Sequence, residues 1–264
     1  MREPDYEAIE WSFDDDTGIG RITLDRPEAM NTFSTGLAGD LDDALRELDG
    51  EAGVRAIVVE GAGAGFSAGI DLTEYEEFES EAAYEAWVHR MERPFLTLTE
   101  IRTPVIAAAH GFAAANGIGL IAASDLAVVA EGTKLGATAP KVGLFCMGPA
   151  VPLMRTVTEK RCLELLLTGD LIDAETALDW GLVNRVVPEA DLHGAAVELA
   201  TSIAENGPVA IRMGKEAYYE MRDLDYERAL EYSNEQFAAL CTTADAGEGI
   251  EAFFEKRDPQ WTGR

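Results

Sequence analysis

The chain has 264 residues, of which 47% are hydrophobic, enough to fill the core of one large domain or of one domain with a small appendage. Its formal net charge of −28 would repel phosphate backbones and anionic membranes, which argues against electrostatic binding to nucleic acid or to a lipid surface. Three widely spaced cysteines with no CxxC motif argue against a disulfide framework or a zinc module.

Acidic residues are spread along the whole chain, and the basic residues are mostly arginine. This pattern predicts a soluble protein adapted to high salt, because salt screens the repulsion between surface charges. The sequence has neither an apolar leader after Met1 nor a run of about 18 apolar residues that could span a membrane. We therefore expect a cytoplasmic protein.

The first half of the chain predicts strands that alternate with glycine-rich loops and helices. The predicted strands are at 7–13, 18–24, 55–60, 105–109 and 126–130, and the predicted helices run from Ser34 to Gly50, at 74–101 and at 115–122. The first two strands form a hairpin around residues 14–17. A strand, a glycine-rich loop and a helix occur in this order twice, at 55–75 and 105–123, which indicates a repeating α/β architecture.

Beyond Gly148 the sequence predicts mainly helices. They are expected at 158–167, 173–180, 191–205, 209–221, 225–241 and 244–256. This change predicts a core domain of residues 1–200, followed by a helical region of residues 201–264 that serves in oligomerisation or as a lid.

The first glycine-rich loop, "GAGAGFSAGIDL" at 61–72, allows several interpretations. A Walker loop would need a Lys near its end, and a dinucleotide fingerprint would need GxGxxG where this loop has GxGxG. A merely flexible loop is a further alternative. The second loop favours another function, because two glycine-rich turns that each follow a strand and lead into a helix can aim two backbone N–H groups at one oxyanion.

Five motifs, in order along nearly the whole chain, resemble the crotonase, or enoyl-CoA hydratase/isomerase, superfamily. They are "LDRPEAMNTFS" at 24–34, "GAGAGFSAGIDL" at 61–72, "AAHGFAAANGIGLIAASDLAVVA" at 108–130, "LTGDLIDAETALDWGLVNRVVP" at 167–188 and "GIEAFFEKRDPQW" at 249–261. The resemblance implies the crotonase fold, a superhelical core of repeated ββα units with a helical C-terminal region that builds trimers or dimers of trimers. It also implies an acyl-CoA thioester as ligand.

The resemblance further assigns roles to residues of both loops. The backbone N–H groups of Ile70 and Asn116 would form the oxyanion hole that stabilises a thioester enolate. Asp71 would fix the loop. Coenzyme A would enter as part of the substrate, with no permanently bound cofactor and no metal. The residues implied in binding the substrate or its coenzyme A part are Arg26, Ala29, Ala68, Gly69, Asp71, Leu72, Ala115, Gly117, Lys256 and Arg257.

The sequence departs from the hydratase pattern at the two acids that move protons during hydration. Gly119 and Ala139 stand at the positions that the resemblance gives to the two glutamates, and Met147 stands where some isomerases carry a single acid. Cys146 is a candidate nucleophile or acid, although a buried inert thiol is the plainer interpretation. In lacking both acids the chain resembles the enoyl-CoA hydratase domain-containing proteins and the dihydroxynaphthoyl-CoA synthases.

The sequence therefore predicts an acyl-CoA-processing lyase or isomerase that hydrates enoyl thioesters poorly. One alternative is a decarboxylase or a dihydroxynaphthoyl-CoA-synthase-like lyase, and another is a protein that binds acyl-CoA without catalysis. A nucleotide-binding protein is the remaining alternative.

Overall fold

A computed structural model of the protein describes residues 6–264, except the side chains of Glu76 and Glu77. Its strands are β1 (Ile9–Asp14), β2 (Ile19–Leu24), β3 (Ala56–Gly61), β4 (Val105–Ala109), β5 (Phe112–Ala114), β6 (Leu126–Ala130), β7 (Lys134–Gly136), β8 (Leu171–Asp173) and β9 (Arg185–Val187). Its α-helices are α1 (Thr35–Gly50), α2 (Glu81–Glu100), α3 (Asn116–Ala123), α4 (Met147–Thr156), α5 (Glu159–Thr168), α6 (Ala174–Asp179), α7 (Leu192–Ala204), α8 (Pro208–Arg222), α9 (Tyr226–Leu240) and α10 (Ala244–Glu255).

Six strands form the main sheet, in the order β1-β2-β3-β4-β6-β9. β1 and β2 pair antiparallel, which confirms the predicted hairpin, and the other neighbours pair parallel. Parallel neighbours need a crossover between them, and helices α1, α2 and α3 lie in the crossovers that join β2, β3, β4 and β6. A second, three-stranded sheet has the order β5-β7-β8.

The central strands are buried on both faces. Alternate residues of β3 show this: Ile57 and Val59 belong to the large core that contains buried residues of α1 and α3, whereas Ala56 and Val58 pack with α7 on the other face. This double burial explains why the strands read as continuous apolar runs and not as an apolar–polar alternation.

The predicted helix at 74–101 is interrupted. A short 3-10 helix covers Leu72–Glu77, and α2 begins only after Ser80, whose side-chain oxygen accepts a hydrogen bond from the N–H of Ala83 at 3.2 Å. A serine at this position caps the new helix by satisfying one of its free N–H groups. The sequence pattern did not indicate this second helix start, because acidic residues continue on both sides of Ser80.

The expectation of mainly helical structure beyond Gly148 missed β8 and β9. Each has only three residues of intermediate or higher exposure, too few to show an alternating pattern. They are strands because earlier strands offer them partners: β9 pairs with β6, and β8 pairs with β7. Helix α4 lay outside the predicted helices as well.

The chain ends in a helical region, as predicted, in which α8 packs against α9 and α10. Several large apolar side chains remain exposed there, among them Phe237, Phe253 and Phe254. Within residues 6–264, no helix is both long and apolar enough to cross a membrane.

Candidate active site

The two glycine-rich loops lie side by side. Ser67 of the first loop forms a parallel bridge with Ala113 of β5, and the N–H of Ala114 donates to the Ser67 carbonyl oxygen at 2.9 Å. Gly117, at the start of α3, lies so close to the first loop that a Cβ there would be 2.5 Å from the same oxygen. The bridge therefore brings Ile70 and Asn116, the predicted donors, into neighbouring turns.

The backbone is unusual in both turns just before the predicted donors. Gly69 has φ +99°, a conformation that suits glycine, but Ala115 has φ 45° and ψ −110°, which an alanine rarely adopts. Strained backbone of this kind costs about 1–3 kcal/mol and persists only where the surrounding structure holds it. Because ψ of Ala115 sets the plane of the next peptide, the strain orients the N–H of Asn116.

The N–H groups of the two predicted donors have no partner in the described part of the chain. The Gly69 carbonyl accepts a hydrogen bond from the N–H of Phe33 at 2.7 Å, and the N–H of Ile70, on the other side of the same trans peptide, is directed away from Phe33. The N–H of Asn116 is among the free donors at the start of α3. No acceptor within residues 6–264 receives a hydrogen bond from either N–H.

The side chain of Asn116 is also without a partner. The residue is fully buried, and neither its Nδ2 nor its Oδ1 has a hydrogen-bond partner among the described residues. A buried amide that lacks both partners is costly, about 1–3 kcal/mol for each unsatisfied group. A ligand or a water molecule in this turn would relieve that cost.

The first loop is held in place by Asn31, a residue that the sequence analysis did not single out. Its Nδ2 donates to the carbonyl oxygens of Ala62 and Gly65 at 2.8 and 3.0 Å, and its own carbonyl oxygen accepts from Ser67 Oγ at 2.7 Å. Asn31 is fully buried and has φ 51°, which asparagine tolerates better than most residues. The one signal for Asn31 in the sequence is its place in "LDRPEAMNTFS", the first of the motifs that carry the resemblance.

Asp71 joins the far end of the loop to the same segment. Its carboxylate accepts hydrogen bonds from both terminal nitrogens of Arg26 at 3.1 Å, and from the N–H and hydroxyl of Thr73 at 3.1 and 2.6 Å. Burial by itself raises the pKa of Asp71, but the hydrogen bonds from Thr73 and Arg26 outweigh it and hold the pKa below its usual value. Asp71 is thus an ionised anchor, and the Arg26 guanidinium is committed to it.

Three further residues implied in substrate binding lie in the first glycine-rich loop or beside it; we call this stretch the rim of the loop. Ala68 donates its N–H to the carbonyl oxygen of Met30 at 3.0 Å, and Ala29 ends a 3-10 helix just before that residue. Leu72 is 45% exposed and begins the next 3-10 helix.

The two basic candidates near the C-terminus lie elsewhere in the fold. Lys256 ends α10 with a left-handed backbone, and Arg257 pairs with Glu248 and Glu255 at 2.6 and 2.7 Å. No contact found among the described residues joins either side chain to the glycine-rich loops.

The positions that the resemblance gives to acids are lined by apolar groups. A Cβ on Gly119 would lie 2.8 Å from Cζ of Phe95 and 3.0 Å from Cβ of Pro149, so the Phe95 ring occupies the space of a side chain at that position. Ala139 begins a short 3-10 helix and bears no ionisable group.

Cys146 precedes α4 and is almost completely buried. Burial raises the pKa of its thiol, and a hydrogen bond from the backbone of Ala139 offsets only part of this effect. A thiol with a raised pKa is largely protonated at neutral pH, which makes it a poor nucleophile.

An open cavity of about 850 Å³ lies between α2, α3, α4 and α8. Phe95 and Gly148 are part of its wall, and Ala122 and Ala123 border it from the end of α3. Ile70 and Asn116 are not among its lining residues. The cavity borders Phe95, whose ring fills the side-chain space of Gly119.

The fold and the sequence both match known proteins. The family model "Enoyl-CoA hydratase/isomerase" matches residues 14–264. A "Putative enoyl-CoA hydratase" of Thermus thermophilus is 38% identical over 245 residues, which are 92% of this chain and 97% of that protein. Human "Enoyl-CoA hydratase domain-containing protein 3, mitochondrial" is 32% identical over 93% of this chain and 81% of its own length.

Solved structures of enoyl-CoA hydratase family proteins superpose on this chain. A crystal structure of an enoyl-CoA hydratase from Mycobacterium smegmatis superposes with a TM-score of 0.93 at 34% identity, covering 97% of this chain and 99% of that one. The crystal structure of human enoyl-CoA hydratase domain-containing protein 3 superposes with a TM-score of 0.91 at 32% identity. The match covers 97% of this chain and 100% of that one. The chain therefore belongs to the enoyl-CoA hydratase/isomerase family and has the crotonase fold, as the motifs predict.

Proposed function

We propose that the protein is an enzyme that acts on acyl-CoA thioesters, with the N–H groups of Ile70 and Asn116 as donors to the thioester oxygen. The observation that carries the proposal is a pair of backbone donors at the ends of two loops that hydrogen-bond to each other. Neither donor has an acceptor in the part of the chain that the structure describes. Membership of the enoyl-CoA hydratase/isomerase family supports a thioester as the group that they bind.

The two donors act on the charge that develops during the reaction. When the α-carbon loses a proton or a carboxylate group, its bonding electrons move onto the thioester oxygen and form an enolate. Two oriented N–H groups stabilise that oxygen more strongly than they stabilise the neutral carbonyl, and one such donor contributes on the order of 10²–10³ in rate.

The reaction that best suits these residues needs enolate stabilisation and little acid–base chemistry. Gly119 and Ala139 cannot exchange protons with water or substrate, and burial keeps the Cys146 thiol protonated. Decarboxylation of a malonyl-type thioester meets this description, because carbon dioxide leaves without the electron pair and the enolate then takes up one proton. Rapid hydration of crotonyl-CoA does not meet it.

Coenzyme A is held, in this proposal, along the rim of the first loop by backbone groups near Arg26, Ala29, Ala68 and Leu72. Lys256 is available to a phosphate group, whereas Arg257 would first have to leave Glu248 and Glu255. The exposed phenylalanines of α9 and α10 support assembly into trimers or hexamers, since exposed apolar patches mark protein contacts.

A second candidate function is acyl-CoA binding without catalysis. The absence of an ionisable group at positions 119 and 139 favours it. The two candidates share a binding site and differ only in whether a reaction follows.

A pair of substitutions at Asn116 tests the proposal. Asn116→Pro removes the backbone N–H at the first position of α3, where a helix accepts proline, and Asn116→Ala keeps that N–H. Binding of crotonyl-CoA and malonyl-CoA is measured by calorimetry, turnover of each is followed, and melting curves verify folding. We expect Asn116→Pro to lose about 10²-fold or more in turnover while Asn116→Ala retains it.

Binding without turnover of any thioester by the wild-type protein would favour the second candidate. Equal turnover by the proline variant and the wild type would contradict the oxyanion role of Asn116. Hydration of crotonyl-CoA by the wild type at the speed of fast hydratases would contradict the inference drawn from positions 119 and 139.

A further inference from the structure

Glu92 is a partly buried carboxyl group in the wall of the cavity. Glu92 lies on α2 one turn before Phe95, so the two side chains share a helix face. Its carboxyl group presses against the backbone of Gly148, the second residue of α4, and a Cβ at that position would overlap the Glu92 oxygens. Glycine at 148 is what leaves room for the carboxyl group.

The environment of Glu92 differs from that of the other acids on this helix. Glu100, two turns further on, is ion-paired with Arg46 and Arg93 at 2.7 and 2.9 Å. Glu92 lines the same cavity but has no hydrogen-bond or ion-pair partner among the residues that the structure describes. Burial raises the pKa of its carboxyl group.

The position of Glu92 relates it to the proposed oxyanion donors. Gly119 is three residues after Asn116 on α3, a rise of about 4.5 Å along the helix. The Phe95 ring fills the side-chain space of Gly119 and touches Phe33, with ring centres 6.3 Å apart. Phe33 is the residue that bridges to Ile70. Gly119 also faces Pro149, the neighbour of Gly148, because a Cβ at position 119 would lie 3.0 Å from the Cβ of Pro149. The carboxyl group of Glu92 therefore lies beside the first turn of α4, which packs against α3 one turn after Asn116.

We propose that Glu92 is the catalytic acid and base of this site, carrying a proton to and from the α-carbon of the bound thioester. The proposal rests on the proposed function, because it needs the enolate that the two amides stabilise. In the forward step the Glu92 O–H bond breaks and an α-carbon–hydrogen bond forms, while the enolate electrons return to that bond and the thioester carbonyl is restored. In the reverse step the carboxylate removes an α-proton and the electrons move to the oxygen.

Exchange of α-hydrogen for deuterium isolates this step from the rest of the reaction. Butyryl-CoA, a saturated thioester that offers nothing to hydrate or decarboxylate, is incubated with the full-length protein in D₂O, and deuterium uptake is followed by mass spectrometry. We expect the wild-type protein to catalyse exchange and Glu92→Gln to lose about 10²-fold or more, the usual contribution of a general base. Binding of butyryl-CoA, measured by calorimetry, should persist in this variant.

Two further variants make the result specific. Glu85→Gln changes an exposed glutamate on the same helix and should exchange at the wild-type rate. Gly148→Ala keeps the carboxyl group but displaces it, and should lose exchange although alanine favours the helix. Melting temperatures verify that each variant is folded.

The outcomes separate this proposal from the one it rests on. Exchange by Glu92→Gln at the wild-type rate, or binding without exchange by the wild type, would overturn the role of Glu92 and leave the thioester site intact. If the wild-type protein fails to bind butyryl-CoA, crotonyl-CoA and malonyl-CoA, the proposed function itself is overturned.

Discussion

Gly69 and Ala115 approach each other so closely that a Cβ on Gly69 would lie 2.6 Å from the Cβ of Ala115. This contact joins the residues that immediately precede the two proposed donors. We predict that Gly69→Ala separates the turns and lowers turnover by about 10²-fold, the scale expected when one oxyanion donor is lost. Steady-state kinetics with the best thioester substrate measures the effect.

Gly132→Ala is the matched control. Gly132 has φ +79°, so alanine there has a similar conformational cost, but a Cβ would meet no atom within 4 Å. The control should lose some thermal stability and keep its turnover. Equal turnover in the two variants would show that the contact between the loops does not matter for activity.

The ion pair between Arg26 and Asp71 predicts a pH-dependent contribution to stability. The pKa of Asp71 is lowered in the folded protein, whereas an unfolded Asp has a pKa of about 3.9. The stabilisation is therefore complete well above pH 4 and is lost as the pH falls through the folded pKa. Asp71→Asn should reduce the free energy of unfolding by about 1–3 kcal/mol at pH 7, and this deficit should shrink below pH 4.

Urea denaturation at pH 7, 5 and 3 tests this prediction, with Asp15→Asn as the control at an exposed position of the β1–β2 turn. The control should stay within about 0.5 kcal/mol of the wild type at each pH. A deficit for Asp71→Asn that is the same at all three pH values would contradict an ionised, hydrogen-bonded carboxylate.

The three cysteines should differ in reactivity. Cys241 is exposed, whereas Cys146 and Cys162 are buried and burial raises the pKa of both thiols. Because the thiolate is the reactive form, iodoacetamide at neutral pH should label Cys241 first in the native protein and all three after unfolding. Rapid labelling of Cys146 in the native protein, detected by peptide mass spectrometry, would contradict an unreactive thiol and support Cys146 as a candidate nucleophile.

The net charge of −28 predicts that salt stabilises the fold. The screening length falls from about 10 Å at 0.1 M to about 3 Å at 1 M salt, which weakens repulsion among the acidic side chains. The melting temperature should therefore rise with KCl over this range. A variant with Glu85, Glu231 and Glu235 changed to Gln should melt at a higher temperature at low salt, and its melting temperature should rise less with KCl. A wild-type melting temperature that does not change with KCl would contradict adaptation to high salt.

Short elements show the limit of what local patterns can predict. The hairpin of β1 and β2 and the strands β3, β4 and β6 are visible in the sequence because each is a continuous apolar or alternating run of five or six residues. β9 has three residues and becomes a strand only because β6 presents a free edge. The start of α2 was hidden for a different reason, since acidic residues continue through the break at Ser80.

The sequence by itself determined the family, the α/β core with its helical C-terminal region, and the two turns from which Ile70 and Asn116 project their N–H groups. Those features depend on glycine-rich turns and apolar runs, which are local in the chain. Only the tertiary structure showed that Asn31 and Asp71 hold the first turn and that Phe95 fills the space of position 119. It also showed that Glu92 lies against Gly148 with no partner among the described residues. These relationships join residues far apart in sequence, and a carboxylate on an acidic helix becomes distinctive only when packing partly buries it.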